Sequence, residues 1–170
     1  MSIRWIGAVL VIVGCGGFGF SMAYHYRRNE KTLRQLLRIL EFMECELEYR
    51  QSALPQLCQD AAQFGTGCVA MVFGNLATEL QMQICPDASC CMDVVLKRTR
   101  GLSDEAMHIL TLLGRSLGRF DLSGQLRELA SVKASCNECL AQLVRHRDTR
   151  IRNYQTLGIC AGVALAILLF

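Results

Sequence analysis

Proline is scarce in this chain, and regular alternation of apolar and polar residues is missing from it. Only Pro55 and Pro86 occur among the 170 residues, and no segment of useful length has the two-residue period of a strand. Because proline interrupts helices and alternation is typical of half-buried strands, the sequence favours long helices over a sheet. It also contains no internal repeat, linker or low-complexity segment, so we expect a single helical body.

Sequence signatures of catalysis and of metal binding are also missing. Ser103, Ser116 and Ser123 lack the G-x-S-x-G context of a nucleophilic serine. The three histidines are scattered, without the H-x3–5-H spacing that zinc sites use. We therefore predict no catalytic, cofactor-binding or metal site, and we expect a protein that is not an enzyme.

Charge is nearly absent from both ends of the chain. Residues 3–23 contain Arg4 as their only charged residue, and residues 157–170 contain none. A helix needs about 20 apolar residues to cross a bilayer, and the first stretch is long enough. The sequence therefore predicts three segments, which are a transmembrane helix at 1–24, a helical domain at 25–153 and a transmembrane helix at 154–170.

Positive charge collects on the inner flanks of both predicted spans. Glu30 alone opposes the basic residues after the first span up to Leu40, and Asp148 alone opposes those before the second. These basic residues are Arg27, Arg28, Lys31, Arg34, Arg38, Arg145, Arg147, Arg150 and Arg152. Because cytoplasmic flanks are enriched in Lys and Arg, we expect a cytoplasmic domain, and the net charge of +3 reflects topology and not nucleic-acid binding. A cleaved signal peptide is the alternative, but the apolar stretch is too long and no A-x-A-type site follows it.

Glycines in the first apolar stretch fit the G-x-G-x-x-G fingerprint of dinucleotide-binding folds, at Gly14, Gly16 and Gly19. That fingerprint needs a second parallel strand, and the segment that follows has a helical period instead. Small residues are also common where membrane helices pack closely. The membrane interpretation is therefore favoured, and Gly158 and Gly162 are predicted to form a helix-packing face in the second span.

Cysteine, by contrast, is abundant, with ten residues. Most of them lie in the predicted cytoplasmic domain, where thiols stay reduced, so a disulfide framework is not expected. Cys136 and Cys139 form a C-x-x-C pair and Cys90 and Cys91 are adjacent, but a zinc site needs two such pairs or suitably spaced histidines. We favour cysteine as a small buried apolar residue. A membrane-bound thiol-based redox or metal sensor is the alternative function.

Apolar periodicity between the predicted spans indicates about six helices. The first helix has an apolar stripe at intervals of three and four residues, which includes Leu36, Leu40, Met43 and Leu47. The second carries Leu57, Ala61 and Phe64 at its apolar positions. Later helices have candidate N-terminal caps at Thr66, Asp87, Ser103 and Asp121. The last helix is expected to continue into the second span, and the predicted fold class is all-α, an antiparallel helical bundle flanked by an N-terminal and a C-terminal transmembrane helix.

Short motifs follow one another in a characteristic order and spacing along the chain. They are Trp5-Ile6-Gly7-Ala8, Arg34-Gln35-Leu36, Glu44, Glu46, Tyr49, Leu54-Pro55, Leu113-Gly114, Leu117-Gly118, Asp121, Gln125, Tyr154, Leu157-Gly158 and Gly162. With these motifs the sequence resembles the stage III sporulation protein AB family of endospore-forming Firmicutes over essentially its whole length. That family is similar to the cytoplasmic domain of the inner-membrane platform proteins of type II secretion and type IV pilus assembly.

The resemblance implies a non-enzymatic scaffold in the secretion-like channel complex between mother cell and forespore. It implies a location in the mother-cell membrane around the forespore. The implied partners are a secretion-type ATPase of the same complex, other stage III sporulation membrane proteins and membrane lipid.

Charged residues on the first helix are the predicted docking site for the ATPase. The candidates are Arg34, Arg38, Glu41, Glu44 and Glu48. Charges of both signs set register and association rate more than affinity, which suits a dynamic contact with a motor. An ordinary solvated face is the alternative, because exposed charge pairs contribute only ~0–1 kcal/mol.

Overall fold

All regular structure in the described part of the chain is helical. The computed structural model describes the backbone of residues 2–83, 85–118 and 121–169, and the side chains of residue 24 and of residues 26–83, 85–118 and 121–145. The helices are α1 (Ser2–Tyr49), α2 (Leu54–Phe64), α3 (Gly67–Met82), α4 (Ala88–Arg98), α5 (Asp104–Ser116) and α6 (Leu122–Leu169). This arrangement confirms the predicted all-α bundle of about six helices.

The chain divides into two compact units. One comprises Met1–Glu30 with Ala141–Phe170, and the other comprises Lys31–Leu140. Apart from Tyr24, the two predicted spans, with the proposed packing pair Gly158 and Gly162, lie outside the residues whose side chains are described. Among the described residues, no helix has an apolar stretch that is long enough to cross a bilayer.

Every helix contributes to one apolar core in the unit Lys31–Leu140. Each supplies large side chains with an exposed fraction of 0 or 1%, and one example from each helix, in chain order, is Leu36, Leu57, Phe73, Met92, Leu113 and Leu129. Burying a side chain of this size contributes about 1.5–3 kcal/mol. Because short helices are marginal alone in water, this shared core is what holds α2 to α5 in their helical state.

Capping side chains fix where the later helices begin. The Asp87 carboxylate accepts a backbone N–H in the first turn of α4 at 2.8 Å, and the Ser103 hydroxyl does the same for α5 at 3.2 Å. Asp121 caps α6 at 3.2 Å and accepts the Ser123 hydroxyl at 2.6 Å, and these bonds lower the pKa of Asp121. These three predicted caps are confirmed, whereas Thr66 stands at the cap position of α3 without making a side-chain capping bond.

Helix α1 contacts the bundle on two sides. On one side the Gln35 side-chain amide donates to the Thr66 carbonyl and hydroxyl oxygens at 2.8 and 2.5 Å, which ties α1 to the turn between α2 and α3. On the other side the Cys136 thiol of α6 donates to the Leu33 carbonyl oxygen at 3.7 Å. The first and last helices of this unit are therefore neighbours.

Helix α4 contacts both α3 and α5. Arg98 of α4 pairs with Glu79 of α3 at 2.8 Å. Gly114 of α5 lies so close to α4 that a Cβ at this position would stand 2.6 Å from the Met92 Cβ. Since packed carbon atoms sit about 3.5–4.0 Å apart, only glycine permits this approach.

Candidate docking surface on helix α1

Helix α1 has two chemically distinct faces between Lys31 and Tyr49. The buried face consists of apolar residues with exposed fractions of 0–4%, namely Leu33, Leu36, Ile39, Leu40, Met43 and Leu47. The opposite face, termed the charged face below, consists of the exposed residues Lys31, Arg34, Arg38, Glu41 and Glu48. At 3.6 residues per turn, the spacings of three, four, three and seven residues keep these five side chains on one side of the helix.

The charged face changes sign along the helix. Lys31, Arg34 and Arg38 form its basic half, and Glu41 and Glu48 form its acidic half. With a rise of 1.5 Å per residue, each half extends for about 10 Å along the axis. A partner that binds in register must therefore present acidic groups opposite the first half and basic groups opposite the second.

Glu44 does not belong to the charged face. Its side chain is 29% exposed, and its carboxylate pairs with the ammonium group of Lys133 on α6. Position 44 is four residues after the buried Leu40 and three after the exposed Glu41, so helical spacing places it between the two faces. The structure thus brings four of the five predicted docking residues together and directs Glu44 towards α6.

An aromatic pair joins α1 to the end of α2. Phe42 stacks on Phe64 with ring centroids 5.0 Å apart and ring planes 10° apart. Phe64 nevertheless remains 55% exposed, and Tyr49, seven residues after Phe42, is 79% exposed. Periodicity places Phe64 among the apolar positions of its helix, but it is the last residue of α2 and lies at the margin of the core. Exposed aromatic side chains of this kind are frequent at the centres of protein interfaces.

The C-x-x-C pair contributes to packing. Cys136 is fully buried, and burial raises the pKa of its thiol to about 11. Burial likewise raises the pKa of Cys58 in α2 to about 12. A thiol that stays protonated at neutral pH is a poor nucleophile and a poor metal ligand. In the part of the chain whose side chains are described, no group of three or more His, Cys, Asp or Glu residues is arranged to hold a metal ion.

These observations define an all-α bundle protein that presents charged side chains on one exposed face of α1, with exposed aromatic side chains at the ends of α1 and α2. The chain belongs to the stage III sporulation protein AB family, whose sequence model matches residues 4–170. The description of this family places it in sporulation and names no catalytic activity.

The chain is also similar to two proteins that carry the same family description. Stage III sporulation protein AB of Bacillus subtilis (strain 168) is 26% identical over 172 residues, which cover 98% of this chain and 99% of that protein. A solved structure of a stage III sporulation protein AB superimposes with a TM-score of 0.63 at 20% identity, and the match covers 72% of this chain and 98% of the solved one. The structural likeness supports the helical fold.

Proposed function

We propose that this protein is a non-enzymatic, membrane-anchored scaffold of the secretion-like channel complex between mother cell and forespore. Its terminal helices hold it in the mother-cell membrane around the forespore, and its bundle lies in the cytoplasm. The family supplies the sporulation context. The apolar ends and their basic inner flanks support the anchoring and the orientation. Other stage III sporulation membrane proteins and membrane lipid are the proposed surroundings.

The charged face of α1 is the proposed docking surface for a cytosolic secretion-type ATPase. One observation carries this proposal. Lys31, Arg38, Glu41 and Glu48 form no ion pair with any residue that the structure describes, whereas Glu44 on the same helix is paired with α6. The face therefore keeps charges of both signs for a partner, and their order along the helix sets a register.

The order of the charges favours a different protein over a second copy of this chain. Two copies anchored in one membrane would have the same orientation, so their α1 helices would meet in parallel. The basic halves and the acidic halves would then oppose each other, and juxtaposed like charges disfavour association. A partner with the reverse order of charges avoids this repulsion.

Charge reversal on the basic half tests the docking surface. The test variant of the full-length protein carries Lys31→Glu and Arg38→Glu. The matched control carries Lys97→Glu in α4 and Arg100→Glu just after it, which are exposed and change the net charge equally. Recovery of the ATPase from sporulating cells in mild detergent is quantified by mass spectrometry. We expect a decrease of about tenfold or more for the test variant, since tenfold corresponds to only ~1.4 kcal/mol of binding free energy.

The control should recover the ATPase as the unmodified protein does, with helicity and thermal midpoint of both variants unchanged by circular dichroism. Equal recovery by the two variants would show that docking occurs elsewhere. An equal loss in both would show that the partner responds to net charge and not to this face.

Labelling of Cys45 tests the proposed orientation. This thiol is exposed on α1. A membrane-impermeant maleimide should modify it in opened cells and leave it unmodified in intact ones. Modification in intact cells would reverse the topology.

A further inference from the structure

Charge is nearly absent from helices α2 and α3 and the connections beside them. Residues 51–86 contain only two charged side chains, Asp60 and Glu79. The Asp60 carboxylate accepts the side-chain amide of Gln56 at 2.8 Å. The Glu79 side chain is 15% exposed and pairs with Arg98 of α4 at 2.8 Å. Because both carboxylates are held within the chain, these two helices present to solvent a surface with almost no free charge.

The exposed side of α3 is a row of four uncharged residues, termed the neutral ridge below. The row consists of Met71, Asn75, Thr78 and Met82, and all four are exposed. At 3.6 residues per turn, the spacings of four, three and four residues keep them on one side of the helix. The two methionines stand at the ends of the ridge and are 57 and 60% exposed. Surfaces that present flexible methionine side chains are typical of binding sites for other proteins.

A groove lies on each side of the neutral ridge. The first groove is a cavity of about 330 Å³ between α2 and α3, and it includes the side chains of Gln59, Gln63 and Gln81. The second is a cavity of about 550 Å³ between α3 and α4, and Met82 lies along it. Thr78 lines both cavities, so the ridge separates them. Helices associate when the side-chain ridge of one packs into the groove of another, and this face offers both parts of such a contact.

We propose that the neutral ridge binds the neutral ridge of a second copy of this chain. In a parallel pair Met71 meets Met71 of the second copy, and in an antiparallel pair it meets Met82. Methionine therefore opposes methionine in either direction, and no like charges are brought together. The charged face of α1 lacks this property, because two copies in one membrane would oppose like charges there. The same patch serves on both copies, so the contact closes on itself as a dimer.

Polar groups of the ridge find partners within such a dimer. The Thr78 hydroxyl already donates to the Gly74 carbonyl oxygen of its own helix at 3.0 Å. The Asn75 amide has donors and an acceptor, so it can pair with Asn75 or Thr78 of the second copy. Unpaired buried polar groups oppose association, and this matching therefore favours a second copy over a purely apolar surface. A membrane surface is disfavoured as well, because interfacial helices carry Lys and Arg and α3 contains neither.

The size of this face fits a reversible dimer. Helix α3 contacts α2 and α4, and the three helices have 16, 11 and 11 residues. At 1.5 Å per residue and a width of about 10 Å each, they present roughly 550 Å² of surface per copy. Two copies would thus bury roughly 1,100 Å², just below the 1,200–2,000 Å² that is usual for stable complexes. We therefore expect a dimer that dissociates on dilution.

Sedimentation velocity of the full-length protein in detergent, measured over a range of concentrations, tests this proposal. The unmodified protein should show a monomer–dimer equilibrium. The test variant carries Met71→Lys and Met82→Lys, which oppose like charges in either direction and should raise the dimer Kd by about tenfold or more. The matched control carries Met107→Lys in α5 and Leu122→Lys in α6, which replace two other exposed apolar side chains and add the same charge. Its Kd should equal that of the unmodified protein.

A second variant with charges of the opposite sign completes the test. Met71→Glu with Met82→Glu should also weaken the dimer when this variant is alone. An equimolar mixture of the lysine and glutamate variants should form the dimer again, because opposite charges then face each other. Such recovery requires that both variants are folded and that the two ridges meet.

Three results would overturn the proposal. The first is an unmodified protein that is monomeric at every concentration. The second is equal dimerisation of the lysine variant and its control, which would place the contact elsewhere, such as in the predicted spans. The third is a mixture of the two charged variants that stays monomeric.

Discussion

Between Lys31 and Tyr49, the side of α1 that faces the bundle holds apolar side chains that are at most 4% exposed, whereas the opposite side holds charged side chains in contact with solvent. Each large apolar side chain on the first side contributes about 1.5–3 kcal/mol by burial. Exposed charges contribute about 0–1 kcal/mol per pair even when they are paired. One face of the same helix therefore carries the stability of the fold, and the other can specify a partner without weakening it.

The largest expected effect comes from truncating the buried face. Leu40→Ala should lower the free energy of unfolding by about 2–5 kcal/mol, because it removes a fully buried side chain and leaves a cavity. Its neighbour on the charged face, Glu41, is exposed, and Glu41→Ala should change stability by less than ~0.5 kcal/mol. Urea unfolding of the full-length protein in detergent, followed by circular dichroism, measures both. Similar transition midpoints for the two variants would contradict the division of α1 into two faces.

A smaller loss of stability is expected at Gly65, where the turn before α3 packs closely against the buried face of α1. A Cβ at Gly65 would lie 2.9 Å from the Ile39 Cδ1 and 3.3 Å from the Ala61 carbonyl oxygen. Gly65→Ala should therefore cost about 1–3 kcal/mol through overpacking. Gly74→Ala is the matched control, because its Cβ would meet Ala62 at an ordinary 3.7 Å and alanine favours the helix by about 1 kcal/mol. Thermal unfolding should shift in opposite directions, and a loss of stability in both would show that α2 and α3 tolerate no added methyl group.

A still smaller free-energy effect is expected for the ion pair at the border between the two faces. Glu44 and Lys133 are both about 30% exposed, so their ion pair is partly screened by solvent. A double-mutant cycle with Glu44→Ala and Lys133→Ala should give a coupling energy of about 0.2–1 kcal/mol. A coupling energy of zero would mean that Glu44 is available to a partner after all, and it would return this residue to the docking surface.

Local sequence rules predicted the parts of this structure that local interactions decide. The apolar stripe of α1 and the caps Asp87, Ser103 and Asp121 follow from spacing and side-chain chemistry within a few residues. The place of Glu44 depends on Lys133, which is 89 residues further along the chain. No local pattern gives the position of such a distant partner.

The same reason explains two further differences between the pattern and the fold. Phe64 occupies an apolar position of α2, yet it is 55% exposed and its described aromatic partner is Phe42 of another helix, 22 positions earlier in the chain. Cys90 and Cys91 stand out in the sequence as an adjacent pair, but the cavity that Cys91 lines together with Cys85 depends on the course of the α3–α4 connection. Membrane anchoring, by contrast, depends on composition alone, and it remains a prediction of the sequence.

The smallest effect on stability, and the most informative for function, is expected on the charged face itself. Arg38→Gln with Glu48→Gln neutralises one charge in each half and leaves the net charge unchanged. Because both side chains are exposed and form no ion pair with a described residue, the free energy of unfolding should change by less than ~0.5 kcal/mol.

Binding of the ATPase to the unmodified protein should weaken as salt is raised, since the screening length falls from ~8 Å at physiological ionic strength to ~3 Å at 1 M. The double variant should bind more weakly at low salt and respond less to added salt. A loss of stability above ~1 kcal/mol would mean that this face helps to hold the fold, and an unchanged salt response would mean that its charges do not meet the partner.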